Sequence, residues 1–498
     1  MRALAPALAV AWLLVVSRSA VYLIYPQSFF DSDQASFGLM AKHLVEGRAF
    51  PLFQYGQGYL LGVDAWLAAP WFVLLGPTVL ALRLSIILTN LAVATVLIAG
   101  FVRAGRMRPL EALVPASFFI WAPPLTAAWL VEVAANIGPF LYVPLLWFIR
   151  HRPIAFGALL AVGFLNREFT IYALPVVLAG EAIAGRLFTR RATRRWAIAA
   201  ATFAGVWLAV AAVRPVADLY GPGTAGIEVP GPTGSQLENI LTRVEVAPDE
   251  LVARARAMAF DYLPRQLGAR AVPSSIADQG RDWMWWPLGI SLALAFARAL
   301  WLRSRSREPG ILSRDAGSAP RDPSFAFYLA GVGLIAALAV ILTRPLAAGP
   351  IDRYMLLIIY LPIGIVAAHL TLEPRAIWKR AAIAIVMVWG VFSGIDHVRL
   401  AARYWGGTQP DHIQELADAL VARGITVAQA GYWRAYKVTF IAQERVKVAT
   451  TEVARIEEYQ RLAREAGDRL VIIREGPDGA CPGGESIGIW WLCPVLQK

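Results

Sequence analysis

Apolar residues in this chain come in long runs rather than in the short alternations of a soluble core. Eleven runs, at about 3–25, 79–102, 110–130, 136–149, 154–166, 169–185, 196–217, 285–302, 325–343, 354–371 and 381–396, approach the ~20 residues that carry a helix across a bilayer. The polar segments between them are of two kinds. Short basic connections hold Arg103, Arg106 and Arg108; Arg150 and Arg152; Arg186, Arg190, Arg191, Arg194 and Arg195; Arg303, Arg305, Arg307, Arg314 and Arg321; and Arg375, Lys379 and Arg380. All fall on one side of the predicted spans, and arginine-rich short loops mark the cytoplasmic side. The other side receives three larger segments: 26–78, 218–284 (opened by GPGTAGIEVPGPTG) and the tail from about 397 to 498. The pattern predicts an all-α polytopic membrane protein of about eleven spans, with its N-terminus inside, its C-terminus outside and its work on the outer face. The first run carries Arg18 and no clear small-residue cleavage site, so it reads as a retained span.

Composition agrees. Of 498 residues, 57% are hydrophobic and only 16% charged, against the ~25% usual in soluble domains. The mean hydropathy is +0.53. The formal charge of +12 lies in the connections, so it does not point to nucleic acid. The expected setting is a membrane whose basic connections face the cytoplasm.

The tail has another texture. HIQELADALVARG reads as an amphipathic helix, GITVAQA and VKVAT as strands, EVARIEEYQRLAREAG as a helix and RLVIIRE as a strand. Such alternation predicts a small extracytoplasmic α/β domain over 401–498, following a membrane domain over 1–400. The two cysteines, Cys481 and Cys493, both lie here. Outside the cytoplasm they can form a disulfide worth ~2–4 kcal/mol; the alternative is two thiols. No CxxC, HExxH, Walker or GxSxG motif occurs, so zinc, nucleotide and serine-hydrolase chemistry lack support.

Candidate chemistry concentrates in FFDSDQASFGLMAKHLVEGRAFPLFQYGQGY, residues 29–59. Asp31 and Asp33 sit where the first span leaves the bilayer, a costly place for idle charge. Either can be the N-cap of a helix over 34–47, with Gln34 at capping-box spacing from Asp31. One helix needs one cap, so the second acid asks for another use. Phe37, Met40, Ala41 and Leu44 form a stripe that suits a helix lying along the membrane interface, stopped at Gly47. A second helical stretch near 58–76 carries Asp64.

Further along, GFLNREFTIYALP puts Arg167 and Glu168 at the tip of a hairpin whose first arm spans only ~20 Å. The tip therefore lies within the membrane zone. A structural ion pair and a phosphate ligand in a wet cavity are both open readings. Arg18 and Arg83 raise the same question, as does Arg353 in AAGPIDRYMLLIIYLP; Tyr354 there also suits an interfacial anchor, and Trp129, Trp283, Trp285 and Trp286 read as belt residues.

The stretch DSDQA after the first span, then EGRAFPLFQYGQGY, AAPWFVLLGP and ALRLSIIL, resembles the GT-C superfamily of polytopic glycosyltransferases. Its similarity is to the branch of bacterial relatives of protein O-mannosyltransferases and the lipid A aminoarabinose transferase. GFLNREFTIYALP and DRYMLLIIYLP are further echoes. The likeness covers roughly 10–400 in layout and leaves the tail out. It implies that an aspartate of the first outer loop, often followed by Glu, acts on the acceptor as base or metal ligand. Asp33 followed by Gln34 holds that place; the second acid is absent and Asp31 stands nearby. It also implies a sugar donor on a polyprenyl phosphate, held by basic residues, and a glycan, lipid or protein acceptor. By membrane depth, Arg167, Arg353 and Arg18 are the candidates for the phosphate; Asp64, His43, Glu168 and Tyr354 are further site candidates. One base and one cation suffice for a single displacement with inversion. A D-x-D pair, Asp31 and Asp33, can share a divalent metal, although no third ligand is visible. Two other readings remain: a transporter or flippase of a lipid-linked or anionic substrate, and an inert lipid-binding scaffold.

Overall fold

A computed structural model describes residues 4–133, 137–219, 248–272, 279–305, 322–342, 351–406 and 412–494. The N-terminal part contains α1 (Ala5–Ile24), α2 (Ser32–Val45), α3 (Val63–Leu75), α4 (Val79–Arg103), α5 (Pro109–Ile120), α6 (Pro124–Val131), α7 (Ile137–Ile149), α8 (Pro153–Asn166), α9 (Ala173–Ile183) and α10 (Arg190–Leu219). The remaining long helices are Trp285–Arg305, Ser324–Leu342, Tyr360–Leu372 and Ala376–Gly406. All eleven apolar runs are helical, but length and apolarity make seven of the described helices long enough to cross a membrane. Counting the bent pair α5–α6 gives eight. The helices α3, α7 and α8 are apolar but only 13 to 14 residues long, so they lie within the protein layer without the reach of a full span.

The run expected as one straight span over 110–130 is broken by 82° between α5 and α6. Pro123 and Pro124 cause the break. Neither can donate to the helical ladder, and proline disfavours the helical conformation of the residue before it. The Gly/Pro-rich opening of the second outer segment lies outside the described residues, as do Arg307, Arg314 and Arg321; residues 248–266 of that segment are helical, starting with Pro248–Ala257.

Three of the basic connections meet at one end, where Arg150, Arg186 and Arg303 line a common cavity. The first outer loop lies at the other end. Its second half begins as a strand: Phe53–Gln54 (β1) pairs antiparallel with Gln57–Leu61 (β2), and only then does α3 start. The helix expected near 58–76 is therefore four to five residues shorter at its start.

The tail forms a five-stranded sheet in the order β4-β3-β5-β7-β6: β3 is Val427–Ala430, β4 Lys447–Thr450, β5 Val471–Glu475, β6 Glu485–Ile487 and β7 Trp490–Pro494. The pairs β3/β4 and β3/β5 are parallel, and β5/β7 and β6/β7 antiparallel. Cys481 is bonded to Cys493 of β7. A helix at Tyr432–Ile441 joins β3 to β4; its aromatic and β-branched sequence is poor in helix formers, and seven of its residues are buried.

This domain sits on α2. Residues 32–43 are all buried, so α2 is not a helix lying open at the membrane interface. The helix Tyr432–Ile441 covers it, and a Cβ at Gly38 would come within 2.6 Å of the Phe440 ring. The expected stop is there: Gly47 has φ +67°, open to glycine at no cost.

Candidate active site

Asp31 is the N-cap of α2: its Oδ1 accepts from the Gln34 backbone N–H at 2.9 Å. The expected capping box does not close, because the Gln34 side chain donates to the Phe29 carbonyl at 2.8 Å. Arg83 steadies the entry to this turn. Its guanidinium donates to the carbonyls of Tyr22 and, at 2.6 Å, Phe29, so this buried arginine holds backbone and not ligand.

One turn on, Asp33 is 8% exposed and has no capping role. It is held from two sides. Arg353 donates to Oδ2 through Nη1 at 3.2 Å and Nη2 at 3.3 Å. From the C-terminal domain, Arg455 Nη2 donates to Oδ1 at 2.8 Å and the Tyr432 hydroxyl donates to the same oxygen. Arg455 is fixed in turn by Tyr432 and by the Tyr55 carbonyl at 3.3 Å, at the turn between β1 and β2. Arg353 also reaches Glu132 at 3.4 Å and the Tyr354 hydroxyl at 3.1 Å.

These surroundings separate the two aspartates. Burial alone would raise Asp33, but Arg455 and Arg353 more than offset it and hold the carboxyl at about 2. Burial, with the charge of Asp33 beside it, pushes Asp31 up to about 6. Two neighbouring carboxyls pushed apart are the usual sign of divided roles. Asp33 suits holding cations in place; Asp31 suits taking up a proton.

The other sequence candidates divide sharply. Tyr354 belongs to the cluster and is no free interfacial anchor, since it bonds Arg353 and its ring packs 6.2 Å from Phe169. Arg167 and Glu168 lie at the break between α8 and the turn Glu168–Tyr172, two and one residues before Phe169, so they border the same corner. Arg18 does not join Asp33. It is 1% exposed inside the helix packing, donating to Asn90 Oδ1 at 2.5 Å and stacked 5.0 Å from the Phe119 ring. The phosphate role expected of it has no support in that place. Asp64 is buried in the first turn of α3, near Tyr142 rather than Asp31. His43 bonds Tyr55 at 2.9 Å and Glu444 at 3.0 Å, which makes it part of the domain contact. Trp129 is buried and not a belt residue, whereas Trp283 and Trp286 are exposed.

Both Asp33 oxygens already accept from guanidinium and phenol groups. Among the described residues no three His, Cys, Asp or Glu side chains come together as a metal site.

Glu132, Tyr432 and Arg455 were missed in the sequence. Glu132 had a signal: it is a lone acid in the apolar run TAAWLVEVAA. Tyr432 and Arg455 had none, because nothing in the tail's pattern tells which of its residues face the membrane body.

No protein-family model matches this sequence, and no curated protein matches it. Solved structures do. ArnT from Cupriavidus metallidurans bound to undecaprenyl phosphate aligns with a TM-score of 0.58 over 97% of both chains, at 11% identity. The apo state of the same protein aligns with a TM-score of 0.53 over 94% of both chains, at 13% identity. The alignment covers the membrane helices and the C-terminal domain together. With seven or eight helices apt for a bilayer, the chain is an integral membrane protein, and it shares its fold with ArnT.

Proposed function

We propose that this chain is a membrane glycosyltransferase that moves a sugar from a polyprenyl-phosphate donor to an acceptor hydroxyl on the outer face. The observation that carries this is the contact of Asp33, from the first loop and two residues from Asp31, with Arg353, from a segment more than 300 residues later. A fold shared with a protein that binds undecaprenyl phosphate supports the donor class. The basic connections at the opposite end support an outward site, since such loops stay in the cytoplasm. The Cys481–Cys493 disulfide supports it too, being a bond of oxidising compartments.

In this reading Asp31 takes the proton from the acceptor hydroxyl as it attacks the anomeric carbon. Its raised pKa suits it, because a base works best near the ambient pH. The C–O bond to the lipid phosphate breaks on the opposite face, and the phosphate leaves with the electron pair. Arg353 stabilises the charge that builds there, with Arg167 as the second cation of that corner. Asp33, Arg455 and Tyr432 hold Arg353 and the end of α2 in register. One displacement inverts the anomeric centre. No step is routed through a metal.

The test is transfer from synthetic polyprenyl-phosphate sugars to membrane extracts by purified protein in a strong chelator. Transfer with inverted anomeric configuration is expected. Arg353→Ala should lower kcat by ~10²–10³. A retained configuration, or full activity of that variant, would overturn the mechanism.

A further inference from the structure

Away from Asp33, the end where the basic connections meet holds a cavity of about 970 Å³. It is separated from the site by the length of α7, ~20 Å, since that helix runs from just beyond Glu132 to Ile149. Arg150, Arg186 and Arg303 line it, with His151, Glu181 and Asp322. Glu181 is already matched by Arg195 at 3.0 Å and Arg186 at 3.5 Å. Asp322 accepts from the backbone N–H and hydroxyl of Ser324, at 2.9 and 2.8 Å. Arg150 lies flat on Trp147, 3.8 Å from the ring. With Arg195 counted, four guanidiniums against two carboxylates leave a positive field.

The cavity continues into an apolar slot. The helices Trp285–Arg305 and Ser324–Leu342 both pack on Tyr360–Leu372 and leave a gap of about 360 Å³ between them. Leu292, Phe296, Ala330 and Leu334 line this slot, and Leu300 and Phe327 line both spaces. The outer flanks of these helices carry exposed Leu294, Leu334 and Leu338, as a surface immersed in acyl chains does. A basic chamber joined to an apolar slot at a membrane boundary has the chemistry of a lipid site.

We propose that one anionic phospholipid of the surrounding leaflet binds here, its phosphate against Arg150 and Arg303 and one acyl chain in the slot. With Arg186 and Arg195 taken up by Glu181, this field suits a monoanionic phosphodiester better than the more highly charged phosphomonoester of a polyprenyl phosphate. This site is separate from the transfer site and does not depend on the reading given to it.

The test uses the full chain in phosphatidylcholine nanodiscs with and without phosphatidylglycerol, followed by native mass spectrometry. The wild type should retain one phosphatidylglycerol at least tenfold more often than phosphatidylcholine. The double variant R150E/R303E should lose that preference. Ala293→Trp, which fills the slot without changing charge, should lose the bound lipid as well. Should R150E/R303E fail to fold, judged by thermal unfolding, R303Q replaces it and should reduce the preference at least threefold. Equal retention of the two lipids, retention unchanged in both kinds of variant, displacement by a polyprenyl phosphate, or competition by free inorganic phosphate would each overturn the proposal.

Discussion

The membrane body and the C-terminal domain exchange carboxylates across their contact, and the two exchanges differ. The body offers Asp33, which receives Tyr432 and Arg455 from the domain. The domain offers Glu444, which receives Lys42, Arg48 and, at 3.0 Å, His43 from the body. Burial opposes ionisation of Glu444, but His43 and Lys42 outweigh it and hold the carboxyl far below the usual range. Around Glu444 every partner is a donor, and nothing is left to react. Around Asp33 there is a second acid kept near neutrality and a third acid, Glu132, on the same arginine. A saturated carboxylate makes a joint; a crowded one makes a site. The two contacts meet α2 some ten residues apart, at Asp33 and at Lys42 and His43.

Substitutions can break or sharpen that contrast. The largest effect is expected at the crowded end, where Asp31→Asn should cost on the order of 10²–10⁴ in kcat with little change in melting temperature. In the wild type the rate should fall as pH drops through about 6, because the base must be ionised and Asp31 titrates there. A flat profile down to pH 4.5 would remove Asp31 from that role. Arg455→Ala should cost about 10–100-fold in kcat, since it loosens Asp33 and the β1/β2 turn without touching substrate. Rescue by Arg455→Lys should be partial, because lysine cannot span Asp33, Tyr432 and Tyr55 together.

At the joint, Glu444→Gln should act on stability. A loss of ~1–3 kcal/mol is expected, read as faster proteolytic release of the C-terminal domain, with kcat within about threefold of the wild type. The sign with pH follows from its lowered value: the contact is fully formed above the ordinary carboxylate range and weakens only in strong acid. A large loss of kcat in this variant would erase the distinction between joint and site. The smallest effect is expected from Lys437→Met. Lys437 lowers Asp31 through space, so its removal should shift the acid limb of the rate profile upward by a few tenths of a pH unit.

Much of this was legible in the sequence, for reasons of different strength. Apolar runs report the solvent directly, so each predicted span is helical where described, and Arg353 could be chosen because an arginine at that depth must have a partner. The break at Pro123 was equally visible in the dipeptide Pro123–Pro124 and was passed over for the continuity of the apolar run. The stripe on α2 was read as lying at the membrane interface, yet it is largely buried in protein, with Met40 against Gly62; periodicity gives a face and not its neighbour. Arg18, expected beside the phosphate, lies apart from Asp33 for a related reason. Depth says that a charge needs company, and Asn90 with the Phe119 ring serves as well as a ligand. Tyr432 and Arg455 depend on how two domains dock, which no local pattern encodes.

The cluster closes over a sequence separation of 422 residues between Asp33 and Arg455. A ribosome therefore makes the acid long before its last clamp. Until the final sheet has folded and settled on α2, the nascent chain has every membrane helix and no organised centre. Truncated or stalled products therefore hold Asp33 without its two clamps from the C-terminal domain.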